Sequence, residues 1–263
     1  MKIAVSGKGG VGKSTVAGTL ARQFAAGGYR VIAVDADPDA NLAQYIGVPD
    51  EQMAKLTPLV EMTEMIEERT GSKKGQMGGF FKLNPKVDDI PEKYSIMHKG
   101  VSFLQLGQVK DGGAGCYCPE GALLRSLMAH LLVYEKDVVI MDMEAGVEHL
   151  SRGTSRSMDL MMIVVEPAPA SLKTARSIRK LAGDLGIKNV AVVGNKIRSD
   201  RDKEIIQREL SDFKVIGFLP YDPDTVEAEF RGLAPADTET NLKRQIEELY
   251  ETIRANYERP AAQ

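Results

Sequence analysis

Residues 7–15 read GKGGVGKST, a G-x-x-x-x-G-K-[ST] pattern carried by Gly7, Gly12, Lys13 and Ser14. These residue types suit a polyphosphate. Glycines let backbone N–H groups wrap the phosphate oxygens, a lysine neutralises the β and γ oxygens, and a serine hydroxyl at a helix start offers itself to Mg²⁺. The nucleotide-binding set expected from this loop is Gly9, Gly10, Val11, Gly12, Lys13, Ser14 and Thr15. A glycine-rich turn that binds nothing is the bland alternative, and the strand-like KIAVS before it and the helical pattern after it weigh against that.

A second group of reactive side chains is smaller. Both cysteines, Cys116 and Cys118, stand one residue apart in GAGCYCPEG. In an extended segment side chains at i and i+2 project to the same side, so two thiolates can face one ion while Tyr117 points away. Two ligands do not complete a soft-metal site, which takes four. A twofold-related copy of the chain would supply the other two. Thiolates suit Zn²⁺, Cu⁺, Ni²⁺ or an iron–sulfur cluster alike. A disulfide across one residue is strained and is disfavoured in a reducing compartment, and the flanking DGGAG and Pro119 mark an exposed turn at 111–119 rather than a buried inert pair. The three histidines, His98, His130 and His149, are isolated in the sequence and read as structural or solvated.

The elements that must hold these groups are legible as apolar runs bounded by turn residues. Strands are predicted at 2–6, 30–37, 101–107, 137–142, 160–167, 189–196 and 214–220, and helices at 13–27, 119–133, 171–185 and 201–211. Near-continuous aliphatic strands alternating with helices predict an α/β fold: a doubly wound, mostly parallel sheet with helices on both faces. Residues 51–100 interrupt the alternation with a Met- and Glu-rich helical stretch followed by GSKKGQMGG and NPKVDDIPEK, which reads as an insertion. Near the C-terminus Leu242, Ile246, Leu249, Ile253 and Tyr257 recur at helical spacing, a stripe that core packing explains better than membrane docking. A single domain over residues 1–263 is expected.

Composition narrows the function classes. With 43% hydrophobic and 27% charged residues the chain has the make-up of a soluble globular protein, and no apolar run approaches the roughly 18–20 residues a membrane span needs. A formal charge of −3 argues against nucleic-acid binding through a broadly basic face. The N-terminus lacks the apolar stretch and cleavage site of a secretory signal, so the cytoplasm is expected, with thiols reduced.

The extra lysine in KGGVGKST makes the loop resemble the deviant Walker A motif of the MinD/ParA class of P-loop ATPases, which also includes the nitrogenase iron protein. The resemblance implies a nucleotide-dependent homodimer in which Lys8 reaches the partner's phosphates, the role an arginine finger plays elsewhere. It also implies that Asp37, in VDADPDAN, positions the attacking water and helps hold Mg²⁺. VVIMDMEAG resembles Walker B running into a switch, placing Asp142 to hold Mg²⁺ directly or through water. Asn195, in VGNK, falls where the class reads adenine, and Pro220 and Tyr221, in LPYD, where a loop borders the base. Within the class, GGAGCYCPEG, MDMEAGVEHLSRGT, NPKVD and KLAGDLGIK resemble the CooC/AcsF type, and the likeness runs over nearly the whole chain. Glu144 departs from that pattern, standing where a small residue is usual.

This resemblance implies Mg²⁺-dependent hydrolysis of ATP to ADP. It further implies that Cys116 and Cys118 bind Ni²⁺, or Zn²⁺ in its place, between subunits, and that the client is carbon monoxide dehydrogenase/acetyl-CoA synthase. Two rivals remain. An electron-donating ATPase of the iron-protein kind would draw cysteines from two separated loops, one just after Walker B, where this chain has MEAGVE. A spatial switch of the MinD/ParA kind would need a membrane-targeting helix or a basic DNA-binding face, and neither is evident.

Overall fold

The computed structural model describes residues 1–72, 80–108, 118–134, 137–146, 150, 152–155 and 157–258. Among these residues eight strands form one sheet: β1 (Lys2–Ser6), β2 (Val31–Ala36), β3 (Ile96–His98), β4 (Val101–Gln105), β5 (Val138–Met143), β6 (Leu160–Val165), β7 (Val190–Ile197) and β8 (Lys214–Pro220). Their order is β3-β4-β2-β5-β1-β6-β7-β8, parallel throughout except for β3, which runs antiparallel to β4 at one edge. The seven strands expected from the sequence are the seven parallel ones. The eighth, three residues of IMH, is too short to show a period.

The helices are α1 (Lys13–Ala26), α2 (Leu42–Ile46), α3 (Asp50–Met53), α4 (Thr63–Thr70), α5 (Ile90–Tyr94), α6 (Pro119–Ala129), α7 (Arg152–Ser155), α8 (Pro169–Leu185), α9 (Asp200–Glu209), α10 (Pro223–Phe230) and α11 (Asn241–Tyr257). Alternation of side chains along β1 shows how two layers arise: Ile3 and Val5 pack with residues of α1, α2 and α11, whereas Ala4 faces the core formed with α4, α5, α6, α8 and α9. Strands covered on both faces have no polar side to show, which is why they read as unbroken apolar runs. The C-terminal stripe is core as expected, with Leu242, Ile246, Leu249 and Ile253 buried and Tyr257 half-buried. Tyr250 is buried too, its ring edge-on to Phe24 with centroids 4.8 Å apart.

The described residues of the 51–100 stretch are tied into the body of the protein. Leu59, Met65, Ile66, Val87 and Ile90 are buried in the core layer beneath α6 and α8, and Asp89 is paired with Arg69 at 2.7 Å. The stretch breaks the β-α rhythm of the sequence without leaving the core.

Central strand β1 lies between β5 and β6, so the loop that follows it opens at the C-terminal edge of the sheet, where the carboxyl ends of its neighbours meet. This is where open α/β sheets bind ligands.

Candidate nucleotide site

The loop between β1 and α1 is shaped by glycine. Gly12 has φ +93°, and a Cβ there would lie 2.3 Å from Asn195 Nδ2, so both backbone and neighbour demand glycine. Gly12 is the N-cap of α1, and no side chain caps that end. The first-turn N–H groups of α1 are thus available to an anion, in line with the positive end of the helix dipole. Lys13 is 7% exposed at the head of the helix, and its Nζ lies 3.2 Å from Asp37 Oδ2. Ser6 Oγ donates to Glu144 O at 2.7 Å, joining the start of this loop to the chain leaving β5.

Three carboxylates converge behind the loop. Asp35 and Asp142 are paired in register across β2 and β5, and Val5 of β1 is in register with Asp142. Asp35 Oδ1 accepts from Asp37 N–H at 3.2 Å and its Oδ2 from Leu42 N–H at 3.0 Å, so this buried side chain fixes both the Asp37 turn and the start of α2. Burial and the charge of Asp142 push Asp35 up to about 7 in spite of those two hydrogen bonds. Burial likewise pushes Asp142 up to about 7 against the pull of the nearby Ser14 hydroxyl and Lys13 ammonium, with Asp37 adding to the rise.

Both Asp142 oxygens are buried and have no hydrogen-bond partner among the described residues. An orphaned buried carboxylate beside a serine hydroxyl and a second carboxylate is a donor set that fits Mg²⁺, which takes oxygen ligands and shares its shell with water and phosphate.

The phosphate-loop residues and Asp37 line one cavity of about 430 Å³, with Asp35 and Asp142 buried outside its lining. Gly9, Gly10, Gly12, Lys13, Ser14, Thr15 and Asp37 form its floor; Asn195, Pro220 and Tyr221 stand at the side, with Tyr221 under the guanidinium of Arg198 at 4.0 Å. Val11 is buried behind the loop. Asn195 Nδ2 donates to Val11 O at 2.8 Å, which commits one amide proton to the loop. Lys8 is exposed on the outer turn of the loop. Glu144, singled out as a departure, is exposed on the cavity wall.

Several lining residues had no signal in the sequence. Tyr45 of α2 faces the cavity, its hydroxyl raised in pKa by burial although the Thr15 hydroxyl pulls the other way. Glu229 of α10, half-buried and raised by burial against the opposing Lys196 charge, is another. Asp222 accepts from Asp224 N–H at 3.0 Å and from Leu242 N–H at 2.9 Å, so it pins the starts of α10 and α11 beside the Pro220–Tyr221 turn.

Of the paired cysteines, Cys116 lies outside the described residues, as does His149. Cys118 is half-buried and is the N-cap of α6, which begins at Pro119 as expected; its Sγ accepts from Gly121 N–H at 3.3 Å. Among the described residues no cluster of three or more His, Cys, Asp or Glu could hold a metal ion, and no helix is long and apolar enough to cross a membrane.

Residues 2–236 match the family described as CobQ/CobB/MinD/ParA nucleotide binding domain. The carbon monoxide dehydrogenase accessory protein CooC of Rhodospirillum rubrum is 48% identical over 237 residues, 90% of each chain. An uncharacterized ATP-binding protein of Methanocaldococcus jannaschii is 46% identical over 256 residues, 96% of this chain and 97% of its own. In the solved MinC:MinD cell division complex of Aquifex aeolicus, a chain that covers 100% of this one superposes with a TM-score of 0.69 at 20% identity, with 98% of that chain covered; at that identity it speaks for the fold.

Proposed function

Because the chain belongs to the CobQ/CobB/MinD/ParA nucleotide-binding family and is a P-loop ATPase, we propose that it is a dimerising metallochaperone, one that binds Ni²⁺ through Cys116 and Cys118 and supports nickel insertion into carbon monoxide dehydrogenase/acetyl-CoA synthase. The observation that carries this reading is the 48% identity with a carbon monoxide dehydrogenase accessory protein over 90% of both chains. Cys118 adds support. A thiol at a helix N-terminus, accepting a backbone N–H bond, is favoured as the thiolate that a soft metal requires. A reducing cytoplasm would keep the pair available as thiols.

Lys13 and Asp37 hold each other at 3.2 Å. An incoming ATP γ-phosphate competes for the Lys13 ammonium, and its success frees the Asp37 carboxylate to orient water for attack. Mg²⁺, held by Ser14, Asp142 and Asp37, would neutralise charge on the phosphates. Lys8, exposed in the loop, would reach the phosphates of a second copy. Two copies joined in this way would bring four thiolates together, and separation after hydrolysis would halve the ligand set.

Anaerobic Ni²⁺ titration with native mass measurement tests this reading. Uptake of about one ion per two chains, with a shift to dimer, is expected from a shared twofold site. The C116A/C118A protein should hydrolyse ATP and lose that uptake. Equal Ni²⁺ binding by the double variant, or binding to the monomer without association, overturns the proposal.

A further inference from the structure

Strand β7 carries an irregularity against β8: Gly194 is in register with Phe218 and Ile197 with Pro220, so two residues, Asn195 and Lys196, face the single Leu219. Lys196 sits at this bulge with φ +58°, a left-handed backbone that a lysine adopts only under constraint. In a regular strand adjacent side chains point to opposite faces. Here both reach the phosphate loop. Asn195 Nδ2 donates to Val11 O at 2.8 Å, and Lys196 Nζ donates to Gly10 O at 2.6 Å. Glu166, just beyond β6, holds the same ammonium from the other side at 3.8 Å.

We propose that Lys196, which also lines the cavity, is a positioning residue for the phosphate loop, a clamp that fixes the Gly10 carbonyl, in step with Asn195 on Val11, and so sets the loop's peptide planes before phosphate arrives. In a trans peptide C=O and N–H point in opposite directions, so a carbonyl that is held fixed also fixes the direction of the N–H of the following residue. With Val11 O held by Asn195 the Gly12 N–H is fixed in direction, and with Gly10 O held by Lys196 so is the Val11 N–H, which donates to Lys8 O at 3.3 Å. Backbone strain at Lys196 fits this role, since strained residues persist where surrounding structure puts them to use. The clamp rests on the nucleotide site alone, so it stands or falls separately from the nickel reading.

Four variants of the full chain test it, with ATP and ADP as probes. Loss of a charge-assisted hydrogen bond predicts that K196M binds both nucleotides about tenfold more weakly, K196R is largely restored, and E166Q falls between. K196G relieves the left-handed backbone, so its thermal midpoint stays near that of the parent while nucleotide affinity drops as in K196M. The Val11 and Gly12 amide signals of nucleotide-free K196M should move, because their peptide planes lose a fixed carbonyl. Three results overturn the proposal: parental nucleotide affinity in K196M and K196G; lost affinity with unmoved Val11 and Gly12 amides, which would make Lys196 a direct nucleotide ligand; or a K196G that loses affinity and stability together. If K196M fails to fold, K196R and E166Q with the same readouts decide the matter.

Discussion

At the scale of single residues, the 3.2 Å pair between Lys13 and Asp37 makes one side chain answer for another. Each holds a group that the reaction needs elsewhere. Asp37→Asn removes the charge that competes with phosphate for Lys13, so ATP free of Mg²⁺ should bind as tightly as in the parent or more tightly. If Asp37 orients the attacking water as proposed, hydrolysis should slow by about 10²–10⁴-fold. Single-turnover hydrolysis alongside equilibrium nucleotide binding checks both halves, and weakened binding with unchanged turnover would contradict the assignment. The sequence exposed Lys13 and Asp37 through local patterns, a nine-residue loop and a carboxylate after an apolar strand. It did not expose Tyr45, Glu229 or the bulge at Asn195–Lys196. Those reach the cavity only because α2, α10 and β7 arrive there from distant parts of the chain, and no short-range period encodes such an arrival.

At the scale of elements, the seam between α1 and α2 shows why local reading stops short. Gly18 lies in the middle of α1, where glycine is a poor helix former, and a propensity argument would replace it with alanine. A Cβ there would lie 2.6 Å from Tyr45 Cβ and 2.8 Å from the Tyr45 carbonyl carbon. The glycine lets the backbone of α2 rest against α1. Alanine at 18 must push α2 away, and α2 carries Tyr45 into the cavity and receives the Asp35 carboxylate at Leu42 N–H. Gly18→Ala should therefore cost about 1–3 kcal/mol of stability, as overpacking does, and weaken nucleotide binding as well. Chemical denaturation with a parallel nucleotide titration measures the two effects; a stabilised Gly18→Ala would mean that propensity outweighs contact. Parallel strands were legible for the opposite reason. Burial on both faces makes them unbroken apolar runs, a property of each strand by itself. The five-residue α2 and three-residue β3 are too short to carry a period, and pairing rather than propensity decides them.

For the whole molecule, one carboxylate draws together segments more than a hundred residues apart. Asp237 accepts from Arg22 of α1 and from Lys99 in the β3–β4 turn, each at 2.8 Å, while Arg22 also donates to Ile46 O at the end of α2. Burial alone would raise the pKa of Asp237, but the hydrogen bonds and charges of Arg22 and Lys99 outweigh it and hold the carboxyl below its ordinary value. A carboxyl depressed in the folded state contributes stability that is fully present above its unfolded pKa of about 3.9 and is lost as pH falls through the lower folded value. Asp237→Asn removes that contribution at every pH. The variant should be less stable than the parent at neutral pH, and the gap should close as pH falls below the unfolded value of about 3.9 and the parent's own carboxylate takes up its proton. Urea unfolding of both proteins across this range measures the gap. A difference that stays constant down to acid pH would show that Asp237 acts through packing, and that its two cations contribute no net charge pairing to the junction of α1, α2 and the β3–β4 turn.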